Sequence, residues 1–86
     1  MIQCLVIMGV STPIISKIID KQDNVLHLSN PMALSATKDT VVLFPFPPLA
    51  KFGQDFIVNR SQIILAYEPN DILLKEYKKY SNPAAN

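Results

Sequence analysis

The chain is 86 residues long, 49% hydrophobic and 17% charged, with a net charge of +1. That length allows one small domain, which buries only about 60–65% of its unfolded surface, so the apolar excess points to self-association. The near-neutral charge excludes a global field for polyanions, and any such binding must rest on a few well-placed cations. A single cysteine, Cys4, excludes an intrachain disulfide framework and suits a reducing compartment, the cytoplasm. No apolar run approaches the roughly 18–20 residues of a membrane span, and the patch formed by Ile2 and Leu5 to Met8 has neither the length nor the basic flank of a signal peptide. A membrane is therefore not an expected partner.

Cys4 to Met8 reads as a strand ending at Gly9, with Cys4 a buried, inert thiol. Ser11-Thr12-Pro13 breaks the chain. Ile14, Ile15, Ile18 and Ile19 recur at helical spacing, and Thr12-Pro13 could cap a helix. Four β-branched side chains in six positions tip the balance slightly toward a strand buried on both faces or sharply bent. Asp20 to Asn24 is then a polar hairpin loop between two apolar segments. In its Asp-x-x-x-Asn spacing the Asp20 carboxylate can brace the loop while the Asn24 amide faces outward toward a base edge. A turn residue accepting positive φ accounts for Asn24 as well.

Val25 to Asn30 alternates, with Leu26 and Leu28 on one face and His27 on the other, where a sheet-surface role suits it. Asn30-Pro31 punctuates the run, and Met32 to Leu34 resumes it after a bend or bulge. Thr40 to Phe46 is an apolar strand ended by Pro45, Pro47 and Pro48, in a loop expected to bury Phe46, Leu49 and Phe52. Phe56 to Val58 and Ile63 to Tyr67 form a last strand pair, or one long strand broken at the polar knot Asn59 to Gln62. A closing helix starts at Asn70, with Asp71 at its positive end and Lys75, Lys78 and Lys79 toward its negative end. Ile72, Leu73, Leu74, Tyr77 and Tyr80 share its inner face, and the lysines form a solvated one. Residues 1–80 make one domain, and 81–86 a flexible tail.

Val41 to Phe44 and Ile63 to Leu65 are too apolar for solvated edge strands. Pairing one edge with the other edge of a neighbouring copy is head-to-tail and closes into a ring when the rotation allows. Enzyme chemistry finds no foothold. One histidine and one cysteine cannot build a typical structural zinc site, two glycines make no phosphate-cradling loop, and no nucleophile, base and orienting acid assemble. No cofactor, metal or catalytic residue is expected. Two polar loops, 20–24 and 59–62, form the one binding site that can be constructed.

The strand to Gly9, the Ile-rich strand ending Ile19-Asp20, and Asn24-Val25-Leu26-x-Leu28 resemble the first motif of Sm/LSm proteins and their Hfq relatives. Val58-Asn59-Arg60-Ser61-Gln62-Ile63 sits where the second, shorter Sm motif lies. Asn30-Pro31, the 45–50 segment and Tyr67-Glu68-Pro69 followed by a helix resemble the small Sm-like proteins of marine phage (cyanophage) and ocean-metagenome origin. The resemblance implies a mainly β fold: a strongly bent five-stranded antiparallel barrel, here with one C-terminal α-helix. It also implies rings built by edge-strand pairing, and single-stranded RNA, or DNA, held between the two loops in an RNA- or DNA-processing role. Carried over, the nucleic-acid-binding residues are Gln22, Asn24, Asn59, Arg60 and Ser61, with Asp20 as a loop brace. Gln22 stands where many Sm proteins carry a stacking aromatic or histidine, Asp23 replaces an apolar residue, and Ser61 replaces a glycine. Since base–aromatic stacking is worth about 1–3 kcal/mol per base, these departures favour a second reading. In it, the chain is a phage structural or assembly adaptor that uses an Sm-like ring for protein contacts only.

Overall fold

The computed structural model describes residues 1–21, 24–37, 40–46 and 55–81. In chain order the elements are β1 (Ile2–Ile7), β2 (Ile14–Lys21), β3 (Val25–Ala36), β4 (Val41–Pro45), β5 (Asp55–Asn59), β6 (Ile63–Tyr67) and the helix α1 (Asp71–Ser81). A 3₁₀ turn, Arg60–Gln62, joins β5 to β6.

The Ile-rich segment is a strand because its side chains are needed on both faces. Ile14 and Ile15 are both fully buried, yet they belong to different clusters. Ile14 packs with Leu5, Ile7, Ile18, Leu26, Leu28 and Ala33 on the sheet's inner face. Ile15 packs with Cys4, Met32, Leu43, Leu73 and Tyr77 beneath the helix. Each fully buried aliphatic contributes about 1.5–3 kcal/mol, which outweighs the few tenths of helix or strand propensity at stake.

All pairings are antiparallel, in the order β4-β3-β2-β1-β6, with β5 also on β3. Met32 and Ala33 pair with both β2 and β4, whereas Leu26 to Ser29 flank β2 and β5. β4 and β5 therefore lie in tandem along the same edge of β3, and six strands fill five positions across the sheet. This corrects the expected five-stranded barrel in two respects. Among the described residues the strand count is six, because β4 and β5 share the lane a single strand would occupy, and β4 ends at Pro45, which has no N–H to offer a ladder. The sheet is also not closed. β5 and β6, read in sequence as a pair or as one broken strand, are neither: β5 pairs with β3 and β6 with β1. Leu49 and Phe52 lie outside the described residues; Phe46 packs half-buried against the inner cluster.

β3 bends at Asn30-Pro31. Between the pairs Ile15–Met32 and Lys17–Ser29, β3 carries one residue more than β2, a bulge in which Asn30 takes φ +52°. An extra residue reverses the alternation, so Leu26 and Leu28 face the inner cluster while Met32 faces the helix. A second irregularity, between Ile18 and Asp20, leaves Ile19 exposed.

The helix seals this bend. The Asn70 Oδ1 accepts the Leu73 N–H at 2.8 Å and the Asn70 carbonyl accepts the Leu74 N–H at 2.9 Å, as an N-cap should. Tyr77, fully buried, accepts the Lys17 N–H at 3.0 Å and donates toward the carbonyls of Asn30 (2.8 Å) and Ser29 (3.0 Å). One hydroxyl thus satisfies backbone groups that the bulge removes from the ladder. The helix's buried face is narrower than its sequence suggests. Leu73 and Tyr77, four residues apart, are buried, but Ile72 is 69% exposed and Tyr80 39%. The i, i+4 row is what reaches the sheet. Lys75, Lys78 and Lys79 are exposed as expected. Residues 82–86 of the expected tail lie outside the described residues, while Ser81 still belongs to the helix.

Candidate functional site

The two polar loops meet. β2 and β3 form the expected hairpin, and Asn24, the residue before β3, is exposed beside the 3₁₀ turn. The Arg60 N–H donates to the Asn24 carbonyl at 2.9 Å, and the Met8 N–H donates to the Gln62 carbonyl at 2.7 Å. The turn is therefore pinned at its start to the 20–24 loop and at its end to the β1–β2 connection. These two bonds carry the chain from the β3 edge to the β1 edge without any ladder between β5 and β6.

The turn also explains its own sequence. Asn59 caps it: its Oδ1 accepts the Ser61 N–H at 3.0 Å and the Ser61 Oγ–H at 2.9 Å. Asn59 and Ser61 were expected at the ligand, yet their mutual hydrogen bonds make them builders of the turn first. Arg60, between them, is exposed. Gln22 lies outside the described residues, as does the side chain of Asp20, so its bracing role does too. In the backbone Asp20 pairs with His27. His27 occupies the sheet surface as expected, with Nε2 3.5 Å from the Asp55 carboxylate on β5.

Where β5 and β6 fail to pair, a cleft of about 350 Å³ opens, lined by Gln3, Leu26, Arg60, Ile63 and Ala66. It combines one guanidinium and one carboxamide with an apolar floor, the mixture typical of small-ligand sites of roughly 300–1,000 Å³. A larger recess, about 480 Å³, is lined by Asp71, Ile72, Leu74, Lys75 and Lys78, all from one helix. It is a groove along that helix rather than a convergence of elements. The cleft beside Arg60 is the better candidate. Sequence reasoning missed Gln3, Leu26, Ile63 and Ala66. The available signal was Gln3, a lone carboxamide between Ile2 and Cys4 in an otherwise apolar strand.

Elsewhere, burial raises the Cys4 thiol above its ordinary range, with a smaller opposing effect from the Tyr67 hydroxyl beside it. A fully buried thiol held protonated is an inert one, as its apolar neighbours suggest. Among the described residues, no group of three or more His, Cys, Asp or Glu side chains could hold a metal ion, and no helix is long and apolar enough to cross a membrane. Compared with known proteins, the chain matches no family model and no curated sequence.

Proposed function

We propose that the chain is a ring-forming, Sm-like module that binds single-stranded nucleic acid, RNA in the first instance, through the junction of its two polar loops. The observation that carries this reading is the Arg60–Asn24 backbone hydrogen bond, which sets two exposed residues of the two loops next to each other, Arg60 also lining a cleft. Asn24 would pair with a base edge, and Arg60 would stack on a base or hold a phosphate. Self-association has its own support. β4 and β5 pair only with β3, and β6 only with β1, among the described residues. Along these open edges Val42, Ile57, Ile64 and Leu65 are all more than half exposed. Pairing Val41–Phe44, on the β4 edge, with Ile63–Leu65 of the next copy would cover that surface head-to-tail.

The same exposed apolar edges favour a second reading, a phage structural or assembly adaptor whose ring serves protein contacts alone. Fluorescence anisotropy with oligo-U, oligo-A and single-stranded DNA at low salt separates the two. The first reading expects binding that Arg60→Ala weakens about tenfold while light scattering still reports a ring. Absence of binding to every oligonucleotide at tens of micromolar sinks it and leaves the adaptor. A monomer by light scattering removes the ring from both.

A further inference from the structure

Gln3 belongs to the inward-facing row of β1, with Leu5 and Ile7. The other two members of that row are core residues, whereas Gln3 is half-buried at the end of the row, in the wall of the 350 Å³ cleft. Gln3 remains partly accessible from the cleft. Ala66, with the smallest side chain of the lining, sits across from Leu5 in the β1–β6 register. Leu26, almost fully buried, and Ile63, half-buried, supply the apolar part of the lining, and Arg60 lines the same cleft. A cleft that combines apolar side chains with a planar guanidinium and the adjacent donor and acceptor of a carboxamide suits a planar heterocycle with its own adjacent donor and acceptor.

We propose that this cleft is a nucleobase pocket in which the Gln3 carboxamide reads the edge of a base inserted among Arg60, Leu26 and Ile63. The inference rests on the nucleic-acid reading above and deepens it: Gln3, from a strand outside both polar loops, becomes the specificity-determining residue. It also accounts for how the site works without an aromatic in its first loop. The base is held by insertion against aliphatic side chains and Arg60 rather than by stacking on residue 22. The carboxamide reads the base and leaves phosphate contacts to the loops, so it acts on base-dependent affinity and not on salt dependence.

The test compares oligo-U with an abasic ribose-phosphate oligomer of the same length, by anisotropy across a salt series. Gln3→Leu should lower the affinity for oligo-U about tenfold, leave the abasic oligomer unaffected and keep the slope of log K against log salt. Ala66→Leu fills the cleft without removing a hydrogen-bonding group, and should reproduce that selective loss. It also decides the matter should Gln3→Leu fail to fold. If oligo-U binds the unaltered chain and Arg60→Ala weakens it, but neither cleft variant does, the base pocket is overturned while nucleic-acid binding stands. If no oligomer binds the unaltered chain, both fall together. If Ala66→Leu instead shrinks the assembly in light scattering, the cleft is a contact between copies and the base pocket is overturned.

Discussion

Two asparagines interrupt the sheet, Asn30 in β3 and Asn59 at the end of β5, and the structure treats them oppositely. At Asn30 the strand bulges, the residue is buried, and a helix from the far end of the chain delivers Tyr77 to the backbone groups set free. At Asn59 the chain turns in the open, and the side chain satisfies the local backbone by itself, through Ser61. The residues of this second turn are exposed, and backbone bonds tie it to Asn24 and Met8. A polar interruption that the fold covers becomes a structural joint. One that it leaves uncovered keeps its neighbour, Arg60, at the surface beside a cleft. This difference separates scaffold from candidate site more clearly than the similar sequence character of the two interruptions.

The sharpest way to break the comparison is to remove the cover. Tyr77→Phe takes the acceptor from the Lys17 N–H and the nearest donor from the Asn30 carbonyl, at a cost of about 2–3 kcal/mol. Urea denaturation should show this as a lowered midpoint with an unchanged slope. The same variant has a pH signature. Burial raises the Tyr77 hydroxyl above its ordinary range, opposed by its hydrogen bonds with the Lys17 backbone, Ser16 and Asn30. Because the folded pKa exceeds the unfolded value of about 10, the contribution of Tyr77 is fully present below that pH. It is lost as pH rises through the folded pKa. Tyr77→Phe should flatten this alkaline loss, leaving a residual slope from Cys4 and Tyr67, which burial also raises.

A smaller effect is expected at the bulge itself. Asn30→Ala keeps a Cβ-bearing residue at φ +52° and removes the amide that donates to the Tyr80 carbonyl at 3.4 Å, costing about 1–2 kcal/mol. Asn30→Gly should recover most of it, since glycine enters that region freely. If alanine and glycine prove equal in thermal melts, the backbone geometry is not what asparagine supplies there. Smallest is Asn59→Ala. The cap is exposed and sits on a single turn, so about 0.5 kcal/mol is expected, at the low end for N-caps. A loss as large as that of Asn30→Ala would abolish the distinction between covered joint and open turn.

The local features of the chain were legible in its residues. The Asn70 cap, the lysine face of the helix, the hairpin into Asn24, the inert Cys4 and the Asn30-Pro31 bend all depend on a few neighbouring side chains and on turn chemistry. The Ile-rich strand was harder, because its periodicity fits two structures. What decided it was the presence of two separate covers, an inner cluster and a helix, and the latter lies some fifty residues further along the chain. The sequence also marked two polar loops as a pair to be joined, but the joining bond is between backbone atoms of Asn24 and Arg60, which carry no side-chain signature.

What only the tertiary structure decided is the path of the two interrupted strands and what surrounds each interruption. A periodic pattern fixes which face of a strand is apolar, but not which edge it joins. So Phe56 to Val58 and Ile63 to Tyr67 looked adjacent and instead lie on opposite edges of an open sheet. The gap between them is the cleft, and its walls come from β1, β3, the 3₁₀ turn and β6, segments far apart in sequence. Gln3 acquires a role only there. As one carboxamide in an apolar run it is unremarked, and the open edge of the sheet gives it something to face.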